Sequence, residues 1–303
     1  MKVLPSIIMT DAIMTATNVP EDDAAEWDIS TTYDAGDHVI VATAHLVYES
    51  VVGTNLGNTP ETDDGTKWIV IGSTKPWRAF DDVLSAPLSK SGTITYTIEP
   101  TELTRSVGLV GVSAAEATIE VLNPADAVLV TRTRYLADYS EMVDALAMVT
   151  IEPRKVENAI FEDIICQPGN RIEITIGDGA GTVEISEIII GNTITVGDVV
   201  FGATIGIDDF SAETTDGYGN VSITRRGYRD VTKFPVVVKT GDVKRLRRKL
   251  AGLRAKFALF YHTADDTDYG TTVFGRYESL EMILSGPTIS DLELIVKGAT
   301  YDA

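Results

Sequence analysis

Pairs of adjacent acidic residues are the first side chains in this sequence that could do chemistry, because two neighbouring carboxyl groups can act as acid and base. Neighbours on a strand point to opposite faces of the sheet, so such a pair does not form a two-carboxylate site by itself. The pairs of adjacent aspartates lie at residues 22 and 23, 63 and 64, 81 and 82, 208 and 209, and 265 and 266.

Established catalytic motifs are missing from the sequence. It contains no G-x-S-x-G, no H-E-x-x-H, no phosphate-binding glycine loop and no Cys–His signature. We therefore expect no catalytic residues and no enzyme activity. A polysaccharide-degrading enzyme whose active site is built from scattered acids stays open as a third alternative.

Metal-binding patterns are incomplete. His38 and His45 flank a predicted strand without partners at metal-ligand spacing. The polar loop around residues 265, 266 and 268 has three aspartates but lacks the full spacing of a calcium loop. The single cysteine, Cys166, excludes an internal disulfide and is typical of a small buried residue. We predict neither a metal site nor a cofactor.

Large aromatic residues are concentrated in one segment, which contains all three tryptophans of the chain, Trp27, Trp68 and Trp77, together with Tyr33 and Tyr48. A flat aromatic ring can stack on the apolar C–H face of a sugar. A small module without a disulfide must also use its aromatics as its own core. Both interpretations stay open, and Trp77, at the end of this segment, is expected to dock the module on the main body.

The order of residues in this segment resembles the type-3 chitin-binding module, whose pattern runs Trp, Tyr, Gly-Asp-x-Val, Tyr, Pro, Trp. The resemblance implies a small β-fold at residues 21–77 and a carbohydrate-binding site at Trp27, Tyr33, Tyr48 and Trp68. The matching residues are Trp27, Tyr33, Gly36, Asp37, Val39, Tyr48, Pro60 and Trp68.

A second resemblance covers most of the chain. It is to phage tail-tip proteins that place a chitin-binding-like module near the N-terminus, follow it with W-x-x-F-D, and continue into a lectin-like jelly roll. The residues that carry it are Trp77, Phe80 and Asp81, and the segments at 106–115, 187–191, 200–219 and 272–280. The resemblance implies a virion protein at the distal tail, made in the host cytoplasm.

Composition limits the partners of this chain. The formal net charge is −20, with 45 acidic against 25 basic residues, so nucleic acid and anionic membranes are repelled. No apolar run approaches membrane-spanning length, and the N-terminal segment lacks the features of a signal peptide. We expect neither nucleic-acid binding nor membrane insertion.

The longest β-type run in the sequence is residues 171–207. Ile172, Ile174 and Ile176 alternate with polar residues, which predicts a strand with one buried face. Residues 177–179, Gly-Asp-Gly, predict a turn. The alternation slips near Ser186 and Glu187, which predicts a bulge that changes the buried face.

One amphipathic helix is predicted from Asp242 to Phe257, with Asp242 as N-cap and an apolar stripe on one side. Its other side carries Lys244, Arg245, Arg247, Arg248 and Lys249. A solvated face is one interpretation of these charges. The other is a subunit interface, in which the basic helix meets the acidic surface of the next copy in a ring.

The predicted fold is all-β, with a jelly-roll or β-sandwich body, a small inserted module and one C-terminal helix. The expected units are 1–20 (N-terminal strand or arm), 21–77 (chitin-binding-like module), 78–235 (sandwich) and 236–303 (helix plus strands). The predicted function is a ring-forming phage tail protein that contacts itself, the tail tube and the hub, with host surface polysaccharide as a further candidate partner. The alternative is a glycan-binding adhesin for a bacterial surface polysaccharide.

Overall fold

The computed structural model describes residues 1–138, 144, 150, 154–264 and 270–301. This part of the chain is predominantly β, in several antiparallel sheets with one short helix, which confirms the predicted all-β class. The strands are β1 (Lys2–Pro5), β2 (Met14–Thr17), β3 (Ala25–Glu26), β4 (Thr32–Tyr33), β5 (His38–Val41), β6 (Leu46–Ser50), β7 (Asn55–Leu56), β8 (Trp68–Ser73), β9 (Leu88–Ile98), β10 (Ser106–Val110), β11 (Glu116–Leu122), β12 (Val128–Tyr135), β13 (Ala137–Asp138), β14 (Arg154–Lys155), β15 (Asn158–Phe161), β16 (Arg171–Ile185), β17 (Glu187–Gly191), β18 (Ile194–Thr195), β19 (Asp198–Val199), β20 (Thr204–Asp209), β21 (Ala212–Thr215), β22 (Val221–Thr224), β23 (Tyr228–Lys239), β24 (Ala258–Tyr261), β25 (Val273–Ile283) and β26 (Ile289–Tyr301).

The body has three layers of sheet. The first layer has the strand order β12-β11-β16-β9-β2, and the second is the short sheet β15-β10-β17. The third has the order β18-β1-β24-β25-β26-β23-β19, with β20 pairing to β23. The α-helix, α1 (Val243–Ala251), packs on the third layer through Leu246 and Leu250.

The second layer is buried on both faces. Val107 and Leu109 of β10 and Ile188 of β17 pack in the core shared with the first layer. Val110 and Ile189 pack in the core shared with the third layer. Strands of a sheet that is covered on both faces carry apolar side chains on both faces. This explains why the alternation of apolar and polar residues stops after residue 185.

Strand β16 confirms the predicted buried face, because Ile172, Ile174 and Ile176 are all 0 % exposed. The predicted turn at residues 177–179 is wrong, since β16 continues to Ile185. Its pairing with β9 instead shifts between Gly177 and Thr182, where β16 has more residues than its partner. The extra residues change the phase, so that Val183 and Ile185 face the same core.

The alternation changes near residues 186 and 187 because the chain passes from one sheet to another there, and not through the predicted bulge within a strand. Strand β16 ends at Ile185 in the first layer, and β17 begins at Glu187 in the second. The chain therefore crosses between the two faces of the sandwich core at this point. The acidic loop at 265, 266 and 268 lies outside the described residues. So do residues 142–151, whose sequence also predicts a strand, apart from Asp144 and Thr150.

Helix α1 is shorter than predicted and ends at Ala251, followed by Gly252. Glycine is a poor helix former, which accounts for the early end. Asp242 precedes the helix, but its side chain makes no capping hydrogen bond. No helix in the described part of the chain is long and apolar enough to cross a membrane.

The N-terminal strand joins the second and third layers. Strand β1 pairs with β24 of the third layer, and the N–H of Ile7 donates to the carbonyl of Ile190 in the second layer at 2.8 Å. The predicted unit boundary between residues 235 and 236 falls inside β23. Because β1 and β26 both belong to the third layer, the first and last strands of the described chain share one sheet.

Gly191 provides the close approach between β17 and the N-terminal segment, because a Cβ there would lie 2.2 Å from the carbonyl oxygen of Pro5. We predict that Gly191→Ala lowers the free energy of unfolding by about 1–3 kcal/mol, since the two backbones must separate. Gly72→Ala is the control, because a Cβ at Gly72 meets nothing within 4 Å. Equal denaturant midpoints for the two variants would contradict this packing.

Candidate functional site: the aromatic module and its junction

The aromatic module is inserted into the first layer of the body. The chain leaves the body after β2 and returns at β9, and these two strands pair with each other. Between them, the module forms one sheet with the order β3-β5-β6-β8 and a small ladder of β4 with β7.

Three of the four predicted sugar-binding aromatics form the core of this module. Tyr33 is 8 % exposed, Tyr48 5 % and Trp68 2 %. Tyr33 and Trp68 meet edge to face, with ring centroids 5.2 Å apart. The indole N–H of Trp68 donates to the carbonyl of Asn58 at 2.9 Å. A stacking platform needs an uncovered ring face, so these three residues account for the fold of the module instead.

Trp27 is the remaining aromatic and is only partly buried. It packs against the module core, while its backbone N–H donates to the carbonyl of Ile40 at 3.0 Å. Its indole nitrogen is buried and has no hydrogen-bond partner in the described structure. The sugar-binding prediction therefore depends on Trp27.

The other residues of the module pattern have structural roles. Gly36 has a φ of 92°, a left-handed conformation that glycine adopts without strain, and its N–H donates to Ser50. The Asp37 carboxylate accepts the N–H of Asp34 at 2.7 Å, which closes the same turn. Val39 and Pro60 are buried. The pattern is thus explained by the needs of the fold.

The junction between module and body is formed by the 3₁₀ turn Lys75–Phe80. Trp77 stacks on His45 of the module, with ring centroids 4.0 Å apart. Phe80 meets Tyr96 of the first layer edge to face at 5.2 Å. The predicted docking residue Trp77 therefore lies at this junction, and the turn contacts both units.

His45 lies between two carboxylates at this junction. Its Nε2 is 2.8 Å from Asp11 and its Nδ1 is 3.2 Å from Glu21. An open groove of about 420 Å³ lies beside it, also lined by Trp77 and Asp81. Because both ring nitrogens already have partners, His45 is not a free base for a ligand in the groove.

A buried acid lies on the body side of the junction and was missed by sequence analysis. Glu187 is 1 % exposed, and its Oε2 accepts the N–H of Asp82 at 3.1 Å. Burial, together with the nearby charges of Asp82 and Asp81, raises the pKa of Glu187 to about 10. The only signal in the sequence is a glutamate next to three consecutive isoleucines.

The Glu187 carboxyl group is neutral at pH 7 and has no path to a substrate, because it is enclosed by the sheet. The structure thus brings the acidic pair Asp81 and Asp82 together with a third carboxyl group without forming an accessible two-carboxylate site. Within the described residues, no three His, Cys, Asp or Glu side chains are grouped to hold a metal ion.

The predicted interface residues form an exposed basic surface on α1. Lys244, Arg245, Arg247, Arg248 and Lys249 are all exposed. Arg245 pairs with Asp242 at 3.1 Å. For the other four, the described part of the chain provides no ion-pair partner. The assignment of these residues to a subunit interface stays a prediction.

Comparisons with family models, with curated proteins and with solved structures found no match for this chain.

Substitution of Trp68 and Trp27 separates the core role from a sugar-binding role. We predict that Trp68→Ala lowers the free energy of unfolding by about 3–5 kcal/mol, since it removes the largest ring of the module core. Trp27→Ala should lower the free energy of unfolding by less, because Trp27 is only partly buried. Thermal unfolding measures both effects, and similar losses in the two variants would contradict this assignment.

The same two variants test polysaccharide binding in a pull-down with chitin and with bacterial cell walls. If Trp27→Ala keeps its fold but loses binding that the unsubstituted chain shows, the adhesin hypothesis gains support. If the unsubstituted chain binds neither chitin nor bacterial cell walls, the sugar-binding prediction is wrong for both materials.

Glu187 makes stability depend on pH. Between its ordinary pKa of 4.5 and its folded value of about 10, the folded chain holds one more proton than the unfolded chain, so stability falls as pH rises. We predict that Glu187→Gln, which keeps the acceptor but cannot titrate, stabilises the protein more at pH 8 than at pH 5. Parallel melting profiles for both proteins across this range would contradict a neutral Glu187.

Proposed function

We propose that this chain is a structural subunit of a bacteriophage tail, at the distal tail or tail tip, and that it assembles with copies of itself into a ring. Its partners are further copies, the tail tube and the hub. It acts in the virion and not as an enzyme. The observation that carries the assembly role is a β-hairpin that is largely exposed in the described part of the chain.

The hairpin consists of β21 and β22, which pair with each other and with no other described strand. Tyr218 at its tip is 95 % exposed, and Val221 and Ile223 on β22 are 55 % and 70 % exposed. A lone two-stranded hairpin is marginally stable in water, and exposed apolar residues favour a protein partner. A neighbouring copy would supply the missing surface.

The tip of the hairpin is ordered by its own hydrogen bonds. The carboxylate of Asp216 accepts the N–H groups of Tyr218 and Asn220, each at 2.8 Å. The side-chain amide of Asn220 also donates to this carboxylate at 2.7 Å, and it lowers the pKa of Asp216 together with the two backbone bonds. Gly219 has a φ of 85°, which completes the turn without strain. A preformed hairpin binds with a smaller entropy cost than a disordered arm.

The phage-tail part of the proposal rests on the sequence resemblance. Two of the segments that carry it contain the strands β10 and β17 of the second layer, and its W-x-x-F-D residues lie in and just after the 3₁₀ turn at the junction. These segments therefore hold the layers and the module together, as expected of an architectural signature.

The second candidate function is a glycan-binding adhesin. The partly exposed Trp27 and its unpartnered indole nitrogen favour it. The two functions are compatible, because a ring of weak sugar-binding sites would gain affinity through avidity.

Antibody labelling of intact phage particles tests the proposed function. Serum raised against this chain, viewed by electron microscopy, should label the end of the tail only. Unlabelled particles, with serum that still recognises the purified chain, would overturn the assignment to the virion.

Charged substitutions on the hairpin test its role in assembly. We predict that the double variant Val221→Asp, Ile223→Asp sediments as smaller species than the unsubstituted chain, because it places carboxylates in an apolar contact. The matched control is Val128→Asp, Leu129→Asp, whose parent residues are 52 % and 51 % exposed on the edge strand β12. Unchanged sedimentation of the hairpin variant would remove the hairpin from the interface.

A further inference from the structure

All charged residues in the segment that contains α1 are basic. Residues 243–256 include no acidic residue, and their basic residues are Lys244, Arg245, Arg247, Arg248, Lys249, Arg254 and Lys256. All seven side chains are exposed. In a chain with a net charge of −20, such a segment is a strong local source of positive potential.

An exposed apolar patch lies beside this basic segment. Ile283 at the end of β25, Leu284 in the connection that follows and Ile289 at the start of β26 are 59 %, 69 % and 54 % exposed. That connection is fixed next to the start of α1, because Thr240 donates its N–H to the carbonyl of Thr288 at 3.0 Å and its hydroxyl to Gly286 at 2.9 Å. Basic and apolar surface therefore adjoin.

The module has the opposite charge. Residues 21–77 contain eleven acidic residues and two lysines, a net formal charge of −9. Six of these acids are exposed and have no lysine or arginine partner within the described structure: Glu26, Asp28, Asp34, Asp37, Glu61 and Asp64.

The module also has an exposed apolar edge. Strand β8 is the outer strand of the module sheet, so in the described structure its free edge presents unpaired backbone groups. Ile69, Val70 and Ile71 on this strand are 40 %, 54 % and 45 % exposed. Glu61 and Asp64 lie just before it in the chain, which places acidic and apolar surface together.

We infer that the basic segment of one copy, with its apolar patch, docks on the acidic module of the next copy along the strand β8. The inference rests on the proposed ring assembly and names the two surfaces that meet in it. Apolar residues of the two patches would form the centre of the contact, and the opposite charges would fix its register.

The fold prevents this contact from forming within one copy. The module is inserted between β2 and β9 of the first layer, whereas α1 covers the far face of the third layer. The two-sided second layer lies between them. A contact between two different surfaces of identical chains is heterologous, and it produces a ring when the rotation closes.

Charge reversal provides a complementation test of this contact. The helix variant is Arg247→Glu, Arg248→Glu, and the module variant is Glu61→Lys, Asp64→Lys. Each variant alone should self-associate about tenfold more weakly than the unsubstituted chain in sedimentation, because one side of the contact then repels the other. An equimolar mixture should associate again, because each altered surface meets an opposite charge on the other variant.

A matched control reverses charges outside both surfaces. Arg132→Glu, Glu116→Lys changes exposed residues on β12 and β11 and should associate as the unsubstituted chain does. The inferred contact is overturned if either variant associates normally, or if the mixture stays as dissociated as its components. An unsubstituted chain that stays monomeric would overturn it as well.

Cross-linking locates the contact directly, because the only native cysteine, Cys166, is buried. A chain with Arg248→Cys and a chain with Asp64→Cys, mixed and treated with a short bismaleimide, should give the mixed dimer in excess over either homodimer. Homodimers of the Arg248→Cys chain alone would indicate a symmetric helix contact and overturn the inference.

A binding control tests whether the basic surface binds anionic lipid or nucleic acid instead of a second copy. Anionic phospholipid vesicles or duplex DNA that bind the unsubstituted chain but not the helix variant, with self-association unchanged, would overturn the inferred contact. Particles that label at the tail end, combined with failed complementation, would leave the proposed function standing and remove only this contact.

Discussion

The structure depends on a short sheet that is buried on both faces. Strands β15, β10 and β17 have the sandwich core on one side and the third layer on the other. Such a sheet must be apolar throughout, which limits polar residues to positions where a neighbour satisfies them. Glu187 meets this condition by accepting one backbone hydrogen bond and staying protonated. The N-terminal strand and the C-terminal strands are then held on its outer side.

The module illustrates how one sequence pattern can serve fold and function. Large aromatics are needed in about fifty residues that have no disulfide, and here three of them fill the core. The same pattern that indicates a sugar-binding family therefore does not by itself indicate sugar binding. What distinguishes the module from a generic small domain is its charge and its exposed β8 edge, which suit a protein partner.

The sequence predicted features that depend on local periodicity. Alternation at Ile172, Ile174 and Ile176 gave a strand with one buried face, and the apolar stripe around Leu246 and Leu250 gave a helix. Features that depend on tertiary packing were not predictable. Glycines at residues 177–179 suit a turn as well as a bulge, and only the pairing with β9 decides between them. The burial of Glu187 likewise follows from the crossing of the chain into the second layer.

The central claim is that this chain forms a closed assembly through different surfaces of identical copies. Electron-microscope class averages of the purified full chain, with its mass measured by native mass spectrometry, test this claim most directly. The account predicts a closed ring of one defined copy number, in which every basic helix contacts a neighbouring copy. A monomer at high concentration, or a two-fold dimer built from one self-complementary surface, would contradict it.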